Sequence, residues 1–557
     1  MKTGSGGFNR RNFVAGSVSL LALAKRASSQ QGPFSQKGAY TDANFAGNPI
    51  VGPFRPNWES LKAYRYPDWF RDAKFGIWAH WSPQCVPEMG DWYARGMYVQ
   101  GSRQYDYHVK TYGHPSKFGY KDICNIWRAE NWSPDELIRL YAKTGAKYFV
   151  ALGNHHDNFD CWNSKYQPWN SVNVGPKRDI VGTWERAARA HGLRFGITFH
   201  GTPGRVWREF MPVRYGSDET GPLEGVPYDG VLTKADGRGK WWEGMDPMQL
   251  NGDPHDKYDP CPKFVEQFML RVQDIIDQHH PDLLYFDDSS DWSFDAGAPA
   301  GRELKVWLGI PELTPPIMAY YYNANIRRNA GKLEAVFNIK NVPAAVASTL
   351  VLDHEASQAG DIENSPWQSD ICIGGWHYSR WIFENHKYQT PASMVHFLVD
   401  VVSKNGNLLL NIPLPGHGRP DDDEFAFLDK FGQWMALNSE AIYSTRPWKV
   451  YGEGPTKIDG QTPYGALPGY VAGDIRFTAK WDQLYAIALA WPEDGRLVIK
   501  SLASDSPNYP GEIARIGMLG SEPNLQWSRN ADGVTVKLPQ KPPCEYAYVL
   551  KINRSGA

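Results

Sequence analysis

Charge of one sign is missing from this sequence: 59 Lys and Arg stand against 61 Asp and Glu, a formal net charge of −2. There is no basic surplus to neutralise a phosphate backbone, so nucleic acid is not an expected partner, and there is no acidic tail. Cysteine is sparse. Six residues (Cys85, Cys124, Cys161, Cys261, Cys372 and Cys544) are scattered over 557 positions without any Cys-x-x-Cys spacing. That excludes a zinc ribbon and the dense disulfide framework of a small secreted domain. Past the first thirty residues no apolar run approaches the roughly 20 residues of a membrane span. What the chain has in quantity is rings, 14% aromatic residues with 23 Trp and 29 Tyr, at a mean hydropathy of −0.52. Most belong in the core, but flat apolar faces with a polar edge also suit sugars, whose C–H faces pack on rings while their hydroxyls take hydrogen bonds.

At the N-terminus, Asn9-Arg10-Arg11-Asn12-Phe13 precedes a short apolar segment and then small residues at Ala24, Ala27 and Ser28. This pattern reads as a twin-arginine signal peptide over residues 1–29, removed on export to a periplasmic or extracellular location and leaving a soluble protein. Residues 30–54 read as a loose leader.

From residue 55 to 445 short apolar runs alternate with amphipathic stretches, the rhythm of βα units and of a (β/α)8-like barrel. Strands are expected at residues 74–80, 147–153, 193–200, 335–339, 350–355 and 408–412. A central one, Leu283-Leu284-Tyr285-Phe286, ends on Asp287 and Asp288. Helices are expected at 183–191, 263–279, 316–330, 390–404 and 422–437. A further helix opens at Ser133-Pro134-Asp135-Glu136 with a capping box and a proline at its first position. Asn405-Gly406-Asn407 reads as a turn, and residues 201–259 as an irregular insertion on the binding face. From residue 446 to 557 the texture becomes short alternating strands, an antiparallel β-sandwich.

In a barrel the C-terminal strand ends build the active site. Here those ends carry His80, the pair His155 and His156, His200, Asp287 with Asp288, Lys340, and Asp353 with Glu355. Such a pocket suits two chemistries. Histidines and an acid bind a metal that activates water, or histidines hold sugar hydroxyls while two carboxyls cleave a glycosidic bond. The aromatic content favours the second.

Three blocks sharpen this. They are Trp69 through Trp81 (WFRDAKFGIWAHW), Asp91 through Tyr98 (DWYARGMY), and His155-His156-Asp157-Asn158-Phe159 with Trp162-Asn163-Ser164-Lys165-Tyr166. Together with Ser403 through Ile412 and Ala441 through Trp448 they resemble the signature blocks of α-L-fucosidases of glycoside hydrolase family 29, in order over residues 55–450. The resemblance implies a barrel with a C-terminal β-sandwich and retaining, exo-acting hydrolysis of terminal α-L-fucosides in oligosaccharides or polysaccharides, without metal or other cofactor. It places the nucleophile on Asp287 and sugar binding on His80, His155, His156, Asp91 and Trp92. Strand-end position adds His200 and Lys340 to the substrate-binding set.

The chain departs from the family pattern in three places. Asp91 stands where Glu is common, Lys340 where many members have a sugar-contacting Arg, and Gln368 where some have Glu. The acid/base is therefore assigned by strand-end position to Glu355, with Glu363 in reserve, at the roughly 5–5.5 Å carboxyl separation of retaining enzymes. Trp92, Trp292 and Trp376 are candidates for the apolar wall against the sugar's C6 methyl. The alternatives left open are an α-L-galactosidase, a metal-dependent barrel hydrolase and a non-catalytic sugar-binding protein. Linkage preference and oligomeric state are not readable.

Overall fold

Eight parallel strands carry the molecule: β1 (Phe75–Ala79), β2 (Tyr148–Asn154), β3 (Arg194–Phe199), β4 (Leu283–Ser289), β5 (Val336–Lys340), β6 (Val351–Leu352), β7 (Trp367–Cys372) and β8 (Gly406–Asn411). The computed structural model describes residues 44–202, 206–252, 262–289, 313–340, 342–457, 460–461, 469–521 and 523–554. The proposed signal peptide, Cys261 and Trp292 lie outside them. The strands are ordered β7-β8-β1-β2-β3-β4-β5-β6. The ring is nearly closed, by a single parallel bridge between Asp353 and Gln368 and by backbone bonds from His354 to Gln368 (2.9 Å) and from Ala356 to Asp370 (2.7 Å).

Every residue of β1, β2, β7 and β8 is buried, as expected of strands covered on both faces. Between them run α1 (Pro134–Thr144), α2 (Ile180–Ala190), α3 (Pro262–His279), α4 (Thr314–Arg328), α5 (Pro391–Ser403) and α6 (Asp422–Asn438). The helix ends follow local rules. Asp179 caps α2 and Thr390 caps α5, while Asp421 and Glu424 form a reciprocal box at α6. The box expected at α1 does not form, because Ser133 makes no capping bond; Pro134 at the first position and two acids in the first turn remain.

The structure corrects four expectations. β7 lies where no strand was expected, since Gln368, Ser369 and Asp370 break the apolar pattern. The strand expected over 350–355 is only two residues long, so Glu355 sits in the turn beyond it. Gly406 opens β8 and does not belong to a turn; a Cβ there would fall 2.6 Å from Val401 and 2.7 Å from Trp367, so only glycine fits. Residues 44–54 are not loose. Phe45 and Phe54 are buried against Tyr320 and Tyr322 of α4, and Asn323 bonds both backbone groups of Phe54.

The C-terminal part forms two antiparallel sheets from β9 (Arg446–Glu453), β10 (Ile475–Lys480), β11 (Gln483–Ala488), β12 (Arg496–Ile499), β13 (Ile513–Met518), β14 (Trp527–Asn530), β15 (Gly533–Lys537) and β16 (Tyr548–Arg554). One is ordered β9-β10-β11-β16-β13 and the other β12-β15-β14, around Phe477, Leu497, Ile499, Val534 and Ile552. The five described cysteines are free thiols, and among the described residues no helix is long and apolar enough to cross a membrane.

A buried ion cluster joins barrel and sandwich. Asp400 of α5 accepts from Lys404 (2.8 Å) and from Arg476 of β10 (2.6 Å), and all three are essentially inaccessible. Removing one member of such a cluster strands a buried charge, so Arg476→Met is expected to lower stability by about 3–5 kcal/mol, read as a fall in the urea unfolding midpoint.

Candidate active site

The strand ends converge on a cavity of about 460 Å³ lined by Trp78, His80, Asp91, Trp92, His155, His156, Asp287, Glu355, Asp370, Cys372 and Trp376, with Gly374 and Gly375. His80 follows β1 and is pinned by its backbone N–H to Asn411 at the end of β8 (2.9 Å). His155 and His156 follow β2, His200 follows β3, Asp287 lies in β4, and Lys340 ends β5. Trp92 is held at φ 62°, a left-handed conformation uncommon for a bulky residue, with its ring between Phe210 and His156.

At the centre, one ammonium touches two acids. Lys340 Nζ bonds Asp287 Oδ1 and lies 2.6 Å from Glu355 Oε2. Burial alone would pull the lysine pKa down. The negative charges of Asp287, Asp370, Glu355 and Asp353 outweigh it and leave that pKa well above its usual value. Asp287 Oδ2 lies 2.9 Å from His200 Nδ1 and 3.9 Å from His156 Nε2. The Asp287 side chain is 16% exposed and Glu355 34%, so Glu355 is the acid with access to water at the cavity mouth.

Three of the histidines are disfavoured as cations. Burial, reinforced by neighbouring imidazoles, holds His80 and His155 well below the ordinary histidine pKa, and burial lowers His200 as well. Their directions can be read from fixed partners. The backbone N–H of Ala94 can only donate, and it points at Gln84 Oε1 (3.1 Å). Gln84 Nε2 therefore faces His155 Nδ1 (2.9 Å), and His155 must carry its proton on Nε2. His156 Nδ1 carries a proton and donates it to the His200 carbonyl (2.7 Å). His80 Nδ1 is buried with no hydrogen-bond partner.

These directions bear on metal binding. Ligand atoms of His80, His155 and His200, of Asp91, His155 and His377, and of His156, His200 and Asp287 each lie within 4.8 Å of one another. Two of the groupings run through His155, whose Nδ1 is taken by Gln84 and whose Nε2 bears hydrogen. In the third, Asp287 Oδ2 lies 2.9 Å from His200 Nδ1. A cation needs lone pairs, and the two groupings through His155 do not offer one at that ring.

The structure brings together His80, Asp91, Trp92, His155, His156, His200, Asp287, Lys340, Glu355 and Trp376. It does not bring in Glu363, which is exposed and precedes β7, its N–H bonded to the Lys404 carbonyl (3.2 Å) at the opposite end of the barrel. Gln368 lies inside β7, bonded to Asp353 (2.8 Å) and Tyr148 (3.2 Å). Four residues that shape the site were not singled out from the sequence. They are Gln84, Tyr285, Asp370, and His377, which binds Asp91 Oδ1 at 2.6 Å. For Asp370 a signal existed, the alternation Gln368, Asp370, Cys372 along one face of a strand.

A parallel barrel whose mouth holds two carboxyls across one cation, ringed by imidazoles and indoles, has the build of a sugar-processing barrel enzyme. The alpha-L-fucosidase family model matches residues 47–440, and that of the alpha-L-fucosidase C-terminal domain matches residues 470–553. The chain belongs to the α-L-fucosidase family. Mouse tissue alpha-L-fucosidase is 27% identical over 522 residues, covering 90% of this chain and 95% of the mouse protein. The Thermotoga maritima alpha-fucosidase, solved with a mechanism-based inhibitor, superposes with a TM-score of 0.66 at 26% identity, over 90% of this chain and all of that one. The same enzyme solved with fucose gives a TM-score of 0.64 at the same identity and coverage.

The Gln84 contact makes a direct prediction. In Gln84→Glu both side-chain oxygens accept, so the proton of His155 is expected to move to Nδ1. With 15N-labelled histidine, two-bond 1H–15N correlations should show Nε2–H in the parent and Nδ1–H in the variant. An unchanged pattern refutes the lock.

Proposed function

We propose that the protein is an exo-acting α-L-fucosidase that hydrolyses terminal α-L-fucosyl residues of oligosaccharides or polysaccharides by double displacement. Asp287 is the nucleophile and Glu355 the acid/base. The observation that carries this reading is the Lys340 ammonium in contact with both carboxylates. Two acids that both reach one small cation are consistent with the short carboxyl separation of a retaining pair, about 5–5.5 Å. A cavity of about 460 Å³ suits one sugar ring, in keeping with exo action, and the relatives' names and the fucose-bound Thermotoga structure supply the substrate class.

In this mechanism His200 and Lys340 hold the Asp287 carboxylate from two sides and orient it on C1. Glu355 donates a proton to the departing oxygen, opening the glycosidic bond as the Asp287–C1 ester forms. It then removes a proton from the water that releases the sugar. His155 presents Nε2–H to a sugar hydroxyl, and His156 stands beside it in the cavity wall. Trp92 and Trp376 offer flat apolar faces to the ring.

Asp287→Gly is expected to lower kcat/KM on an aryl α-L-fucoside by at least about 10³-fold, equivalent to roughly 4 kcal/mol, with the fold intact by circular dichroism. Retained turnover would move the nucleophile elsewhere. Glu355→Ala should lose most on substrates with poor leaving groups and recover with azide, which displaces Asp287 from C1 of the intermediate to give an α-L-fucosyl azide, and the first product of the parent enzyme seen by NMR should be α-L-fucose. We also propose that residues 1–29 direct export by the twin-arginine route. Arg10→Lys with Arg11→Lys should retain the protein in the cytoplasm, as fractionation would reveal.

A further inference from the structure

Directly beneath the nucleophile lies a polar layer that the mechanism above does not use. The Tyr285 hydroxyl is 2.9 Å from Asp353 Oδ2, 3.1 Å from Asp370 Oδ2 and 3.4 Å from Asp287 Oδ1. Asp353 is 3% exposed and Asp370 is inaccessible. They stand on either side of the barrel seam, each with its Oδ2 within hydrogen-bond distance of the same phenol. Among the described residues the other side-chain donor on the pair is Gln368 Nε2, on Asp353 (2.8 Å). Lys340 makes its ion pairs with Asp287 and Glu355.

A hydroxyl has one proton, and three carboxyl oxygens surround this one. Were Asp353 and Asp370 both ionised, two buried charges would face each other with an amide and a phenol as their only donors, a costly arrangement. One proton shared between them removes the conflict, as in other buried carboxyl dyads. Burial raises the pKa of both, and repulsion from Asp353 lifts Asp370 further, well above its usual value. The pair then keeps a single negative charge, closer to the phenol than Asp287 is.

We propose that Asp353 and Asp370 are positioning residues, a proton-sharing carboxyl pair that draws the Tyr285 hydroxyl proton away from Asp287 and so keeps the nucleophile's lone pairs free for attack. The proposal rests on the reading of Asp287 as nucleophile. Asp287 already accepts from Lys340 and His200, and a third donor would lower its basicity further. The 3.4 Å separation, against 2.9 Å to Asp353, is the geometry of a hydroxyl turned toward the pair.

Two measurements test this. Asp353→Asn or Asp370→Asn leaves one carboxylate and no need for a shared proton. The infrared carbonyl band of a protonated buried carboxyl, in a wild-type minus variant difference spectrum at pH 8, should therefore be lost in either single variant. A spectrum without that loss overturns the sharing. The double variant Asp353→Asn/Asp370→Asn removes the acceptor charge altogether and frees Tyr285 to donate to Asp287. It is expected to lower kcat on an aryl α-L-fucoside at least 30-fold, more than the product of the single losses, with KM changed less than threefold. Adding Tyr285→Phe to the double variant should recover at least tenfold. A triple variant as slow as the double overturns the proposal, because a purely structural layer gains nothing from losing another hydroxyl. If the double variant does not fold, the infrared result decides. Turnover surviving Asp287→Gly would instead remove the nucleophile assignment and leave the infrared band untouched.

Discussion

The site depends on a cation that reaches two acids at once. A carboxylate at the end of a barrel strand loses much of its hydration. Asp287 remains available as an anion because an ammonium sits against it, an attraction of about 4 kcal/mol at 4 Å and an effective dielectric of 20. The same ammonium contacts Glu355, so the two carboxyls are held by one side chain and their separation is set by its size. β5 ends on Lys340 itself, so the position of the cation is fixed by sheet register and not by a loop.

Around that centre the imidazoles contribute direction more than charge. A histidine protonated in this cavity would add to the charge of Lys340, and burial prevents it for His80, His155 and His200. What remains is a set of rings whose donor ends are set by groups that cannot reverse, a backbone N–H acting through Gln84 and a backbone carbonyl against His156. A neutral sugar with several hydroxyls is recognised by such fixed polarity, since each hydroxyl must meet a matching donor or acceptor once water is excluded.

Much of the barrel was legible in the sequence because buried parallel strands leave apolar runs, and β1 to β5 and β8 do so. The acids and histidines at their ends were legible for the same reason, standing out where the runs stop. β7 was not. Its inward positions, Gln368, Asp370 and Cys372, face the polar layer under Asp287, so the strand lacks the pattern that marks the others. Glu363, the reserve acid, precedes the strand and belongs to the far end of the barrel, bonded to the Lys404 carbonyl. Gln84 could not be read at all, because its role depends on a contact with a ring 71 positions away.

A lysine at position 340 suits the same layer. A guanidinium presents a planar fork that pairs best with one carboxylate in bidentate fashion. An ammonium is a compact charge with three donors in different directions, suited to bridging Asp287 and Glu355. It also lies near enough to Asp353 and Asp370 for their charges to raise its pKa. With both of those ionised, four carboxylates would surround one cation. With a proton shared between them the negative charge falls by one, and Lys340 stays engaged with the two acids at the cavity. The cation and the acids beside it, Asp353 just past β6 and Asp370 in β7, therefore form a single electrostatic arrangement, and an arginine placed at 340 without changing Asp353 and Asp370 would disturb the balance that both sides share.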